Sequence, residues 1–138
     1  MPRNMSFAIT TRQAYEKTKD VTRRLGWWFL EPGDLVQQVE KAMGLKKGEK
    51  VKKIHLTRVV DTCPECLHWI TEAEVLREGF PDLTPGEFVA MFCKHNKCLP
   101  DEIVNRIEFE YVYLVKTYRG HSFVRGCEFA DARDKRLL

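Results

Sequence analysis

Ile103-Val-Asn-Arg-Ile107-Glu-Phe109-Glu-Tyr111-Val-Tyr113-Leu-Val115 is the stretch on which the fold turns. Ile107, Phe109, Tyr111 and Tyr113 alternate with Glu108 and Glu110. That two-residue period is the pattern of a strand with one apolar and one polar face. It predicts a strand over 103–115, the clearest one in the chain.

Working outward, Pro100 punctuates the loop before this strand, and two short helices precede the loop. Thr71-Glu-Ala-Glu74 and Thr84-Pro-Gly-Glu87 each have capping-box spacing, the second with proline at the first helical position. Gly79 is placed to stop the first helix, and Phe88, Met91 and Phe92 give the second an apolar stripe. Upstream, residues 51–60 read as a strand with Ile54 and Leu56 on one face. Residues 35–43 fit a helix or a strand equally. Pro32-Gly33-Asp34 is a turn, Trp27 to Leu30 reads as an aromatic strand, and Met5 to Thr10 as a short one. Thr10 or Thr11 caps a helix to about Lys17, with Gln13 at the capping-box position. Strand, helix, several strands, two helices and a strand are not the regular alternation of a doubly wound sheet. The order predicts an α+β fold, a small and mostly antiparallel β-barrel with flanking short helices. The domain is expected over 1–116, with 117–138 as a C-terminal extension of little periodicity.

The 138 residues leave room for one domain and a tail, and 43% hydrophobic with 31% charged residues is an ordinary globular composition. No apolar run approaches the roughly 20 residues of a membrane span, and the start has no secretory apolar region. The expected location is the cytoplasm, with no membrane partner. Residues 1–110 hold 17 basic and 17 acidic residues, which argues against broad coating of a duplex. Locally, Lys41, Lys46, Lys47, Lys50, Lys52, Lys53 and Arg58 face only Glu49 in the same window. This cluster reads first as a solvated lysine-rich rim and second as a phosphate-facing patch.

The chemistry-bearing candidate is Lys19-Asp-Val-Thr22-Arg23-Arg24. Read alone, it is a basic, solvated turn after the first helix. Its order with Trp27-Trp28, Pro32-Gly33-Asp34, Glu78-Gly79-Phe80 and the strand around Ile107 resembles the ASCH domains of the PUA-like superfamily. The resemblance runs over roughly 5–115. The family's N-terminal signature is Gly-x-Lys-x-x-Glu-x-Arg, and its small N4-acetylcytidine amidohydrolase branch has Thr at the Glu position. Here Lys19, Thr22 and Arg24 match that branch, and Lys17 stands where the family has glycine.

The resemblance implies hydrolysis of the exocyclic N4-acyl amide of modified cytosine nucleosides, with Lys19, Thr22 and Glu78 as the catalytic set. A threonine hydroxyl needs a nearby base to become a nucleophile, and a lysine neutralised by burial can serve. Glu78 would orient Lys19 or carry the proton to the departing amine. Arg24 would hold an oxyanion or a substrate carbonyl, and Arg23, Trp28 and Phe80 are further substrate-binding candidates. Core packing is the plainer reading of both aromatics. Substitutions in the catalytic set are expected to change stability by only about 1 kcal/mol. The rival function is a module binding single-stranded RNA or a flipped modified base, with the 41–58 cluster extending its footprint. An ASCH-type ribonuclease is a third.

Five cysteines and no export signal leave free thiols or a metal site. Cys63-x-x-Cys66 and Cys93-x₄-Cys98 bracket the two short helices, so a hairpin could gather four thiolates around a structural zinc, with His68 or His95 as substitutes. The alternative is four reduced thiols. The expected amidase chemistry needs no cofactor.

Overall fold

Seven strands and three α-helices order residues 2–118 and 121–125, the part of the chain that the computed structural model describes. They run β1 (Arg3–Ser6), α1 (Thr11–Glu16), β2 (Val21–Arg24), β3 (Leu35–Val39), β4 (Lys53–Cys66), α2 (Glu72–Arg77), α3 (Pro85–Asn96), β5 (Ile103–Tyr111), β6 (Tyr113–Tyr118) and β7 (His121–Arg125). A 3-10 turn at Leu67–Trp69 links β4 to α2. The class is α+β, as the element order predicts.

Five strands form one sheet in the order β1-β3-β4-β5-β2. The β1–β3 pair is parallel and the other pairs are antiparallel. The sheet is a half-barrel, not the closed barrel expected from the sequence. Its two edge strands have only four residues each and do not pair with one another. Next to the β2 edge lies the end of α2, where Asp20 N–H donates to the Arg77 carbonyl at 3.1 Å. The end of the helical insertion thereby meets the chain at the residue that leads into β2.

β5 lies between β4 and β2 and serves two cores. Ile107 and Phe109 join Met5, Phe7, Ala14, Leu30, Val36 and Val59 in one buried cluster. Val104, of opposite parity, joins Leu67, Ile70, Val75, Phe88, Val89 and Phe92 beneath α2 and α3. Each fully buried side chain of this size contributes roughly 1.5–3 kcal/mol. α3 begins as the sequence predicts. Thr84 Oγ1 accepts from Glu87 N–H, Glu87 accepts from Thr84 N–H, and Pro85 opens the helix.

Three local readings are corrected. Trp27 to Leu30 is a turn, because Gly26 (φ 106°) and Trp27 (φ 60°) both lie in the left-handed region and break the extended path. β4 continues past Val60 to Cys66, held by β5 along its whole second half. β5 stops at Tyr111, and the residues beyond it turn into β6, which pairs with β7 as a separate two-stranded sheet. The boundary expected at 116/117 falls within β6, and residues 126–138 lie outside the described part. Among the described residues, no helix is long and apolar enough to cross a membrane.

Candidate functional site

Lys19, Thr22 and Arg23 are only 2–3% exposed, so the motif read from sequence as a solvated basic turn is buried. The backbone explains this. Phe109 N–H donates to the Asp20 carbonyl at 3.0 Å and the Tyr111 hydroxyl to the Lys19 carbonyl at 2.6 Å. The cationic stretch is therefore stitched onto β5 as an edge strand. Thr22 and Arg24 share one face of β2, where Arg24 Nε donates to Thr22 Oγ1 at 3.0 Å. Arg23 projects the other way and donates to Glu65 of β4, Glu74 of α2 and Glu78 at 2.8–2.9 Å.

Glu78 arrives from the far side of the sequence. It caps α2, and Gly79 (φ +98°) turns the chain away. A side chain on Gly79 would meet Gln13 Cγ at 2.7 Å, and Gln13 Nε2 donates to the Gly79 carbonyl at 3.2 Å. Gln13 thus docks the end of α2 on α1 instead of completing the capping box expected of it; the Thr10 side chain makes no cap bond. This close approach lets Lys19 Nζ donate to Glu78 Oε1 at 2.6 Å and to the Glu78 carbonyl at 3.2 Å. Both side chains of the pair are 3% exposed.

Burial lowers the Lys19 pKa; Glu78 opposes the shift, while Arg24 and Arg23 reinforce it. Burial also brings Arg24 down to about 10 against the pull of Glu78. Glu74 is held down to about 2 by hydrogen bonds from Arg106 and Arg23, which outweigh its partial burial. Glu74 accepts from Arg106 Nε at 2.6 Å, so Arg23 is fixed by a frame of carboxylates beside Lys19 and Arg24.

These groups border a cavity of about 170 Å³. Lys19, Thr22, Arg23, Arg24 and Glu78 form its polar end, Phe80, Phe88 and Phe92 an aromatic wall, and His95 and Asn96 a polar border on α3. The volume is below that of a typical drug-sized pocket and suits one ring-sized group. His95 and Asn96 were not assigned to a substrate site from the sequence. The missed signal is the continuation of the α3 stripe from Phe88, Met91 and Phe92 by helical steps to His95 and Asn96. Trp28 does not border the cavity and is 53% exposed.

No family model matches the sequence, and no curated protein does. Two crystal structures match in three dimensions. An ASCH domain from Lactobacillus crispatus JV V101 aligns with TM-score 0.53 and 14% identity, over 79% of this chain and 78% of its own. A DUF984 protein of Enterococcus faecalis V583 aligns with TM-score 0.55 and 15% identity, over 81% of this chain and 76% of its own. The fold is the ASCH fold.

Within that fold, Lys17 occupies the position where the resemblance puts glycine. It lies at φ 60°, the left-handed conformation that glycine adopts without penalty. Its ammonium sits 4.0 Å from the Tyr113 ring centroid, a contact that offsets part of the strain. The cysteines are not gathered as the zinc-clip expectation requires. Cys63 and Cys66 lie on β4 three residues apart, so they project from opposite faces, Cys63 exposed and Cys66 buried. Cys66 Sγ lies 3.3 Å from His68 Nδ1, and Cys98 Sγ lies 4.0 Å from Cys93 Sγ. Among the described residues, no three His, Cys, Asp or Glu side chains are grouped to hold a metal ion.

Proposed function

We propose that the chain is an amidohydrolase that removes an N4-acyl group from modified cytosine nucleosides. The observation that carries this reading is the buried Lys19–Glu78 pair beside Thr22, in a cavity sized for one ring. A substrate cytosine would stack on the aromatic wall at Phe80 and leave its sugar outside. Thr22 Oγ1 would attack the acyl carbon as Lys19, in its neutral form, takes the hydroxyl proton. Arg24, bonded to Thr22 Oγ1, would donate to the developing oxyanion. Collapse of the tetrahedral intermediate breaks the C–N bond, and the proton passes through Lys19 or Glu78 to the departing amine. Water then hydrolyses the acyl-threonine, releasing the carboxylic acid and restoring Thr22. Lowering of the Lys19 pKa by burial favours the neutral base this step needs.

An ultraviolet assay with N4-acetylcytidine, before and after a chelator, tests the reading. Deacylation unaffected by the chelator is the expected result. Thr22→Ala and Lys19→Ala should each remove most activity in folded protein. The double variant should be little worse than either, because residues that share one step are non-additive. Full activity in Thr22→Ala would remove the nucleophile and leave a water activated by Glu78.

One observation favours a second reading, a module that binds a modified base. Lys19 Nζ is bonded to Glu78 and not to Thr22. N4-acetylcytidine that binds without turnover would support it, and cleavage of single-stranded RNA would point to the ribonuclease alternative.

A further inference from the structure

We infer that Cys93 and Cys98 are a disulfide site, and that closing the bridge alters the α3 border of the cavity. The geometry comes from the way α3 ends. Lys97 takes the left-handed conformation at φ 54°, and Cys98 N–H donates to the Cys93 carbonyl at 3.2 Å. That is the six-to-one bond of a Schellman motif, which brings the side chains at its two ends into contact. Here both ends are cysteines. Their sulfurs are 4.0 Å apart, both side chains are half-buried, and both pack against the cluster beneath α3. A bridge needs the sulfurs to close to about 2.05 Å, within reach of side-chain rotation aided by a small shift of a helix end.

The coupling to the cavity is one of chain position. The bridge would span Lys94, His95, Asn96 and Lys97, and His95 and Asn96 border the cavity. Any tightening of this turn moves them. The oxidant required is a peroxide. One thiolate attacks it, breaking the O–O bond and giving a sulfenic acid and water. The second thiolate then attacks that sulfur and expels a second water. Two thiols and one peroxide become one disulfide and two waters, and a dithiol reductant reverses the change. Burial and the neighbouring Cys93 hold the Cys98 thiol up to about 11. The bridge therefore forms slowly at neutral pH and faster in mild alkali, a response to sustained oxidation and not a rapid sensor.

The test is hydrogen peroxide on the full chain, read by intact mass, peptide mapping and amide NMR. The expected result is loss of two hydrogens, mapped to a Cys93–Cys98 peptide and reversed by dithiothreitol. The bridge should form faster at pH 9 than at pH 7, disappear in Cys98→Ser and persist in Cys63→Ser. The amide resonances of His95 and Asn96 should move on bridging while those of His55 stay. A bridge mapped to another pair, or stepwise oxygen addition without a bridge, would overturn the site. A mapped bridge that leaves His95 and Asn96 unmoved would overturn the coupling to the cavity. None of these readouts depends on amidase activity.

Discussion

Glu78 is the residue on which two buried basic side chains converge. Lys19 and Arg23 both donate to its carboxylate, and each of the three side chains is 1–3% exposed. Glu78→Gln would take the counter-charge from the buried Arg23 guanidinium and the carboxylate partner from Lys19. Breaking such a pair costs about 3–5 kcal/mol, well above the 1 kcal/mol expected for an accessible polar site, and urea denaturation reads the difference. Lys19→Met should cost less, because burial already disfavours the Lys19 charge and Glu78 keeps Arg23 as partner. Equal losses would mean that the two charges hold the site symmetrically. Gly79→Ala combines a left-handed backbone with a 2.7 Å approach to Gln13 Cγ, whereas Gly48→Ala (φ +81°) meets nothing within 4 Å. The Gly48 variant should lose roughly 1–2 kcal/mol of backbone energy, and the Gly79 variant clearly more.

At the scale of elements, α3 carries Phe88 and Phe92 of the aromatic wall and the polar border of the cavity, so its start and its end matter to the site. Thr84 and Glu87 close a full reciprocal box at its first turn, while at α2 Thr71 accepts from Glu74 and the Glu74 carboxylate is taken up by Arg106 and Arg23. Thr84→Ala should therefore lower stability by about 1 kcal/mol, with the loss of protection in hydrogen exchange concentrated at residues 86–88. Uniform loss across the chain would mean that the box supports global folding instead. Both helix starts were legible in the sequence because capping is local: the residue that bonds and the residue that is bonded lie three positions apart. The Trp27–Leu30 turn was not legible. Aromatic content speaks for a strand, but the positive φ of Trp27 is imposed by contacts such as the 3.0 Å bond from Asn105 Nδ2 to its carbonyl, 78 positions away.

For the whole molecule, the Glu74 carboxylate shapes the acid limb of stability. The Glu74 pKa is about 2 in the folded chain against an ordinary 4.5. A lowered carboxylate stabilises fully above its unfolded value, and that share is lost as pH falls from 4.5 toward 2. Thermal melts over this range should show the decline, and Glu74→Gln should flatten it. An unchanged slope in that variant would move the origin of acid sensitivity elsewhere. RNA affinity, if present, should be weak and fall steeply with salt, because residues 1–110 balance 17 basic against 17 acidic side chains and the 41–58 lysines are clustered. Filter binding at two salt concentrations measures it, and tight, salt-insensitive binding would favour the base-binding module over the amidohydrolase.

What depends on short separations was readable from the chain: the β5 alternation, the two capped helices, the α+β class, and a Lys-x-x-Thr-x-Arg motif worth following. The rest came from contacts made on folding. Lys19 and Glu78 are 59 positions apart and meet because α1 docks on Gly79. The basic motif is buried because β5 pairs with it. The sheet stays an open half-barrel whose edge strands β1 and β2 do not pair, and Cys63 and Cys66 part because a strand, not a knuckle, carries them. Local pattern reports the backbone state a segment prefers. Burial, charge pairing and the shape of a cavity come from contacts between distant segments, and no short window of the chain contains them.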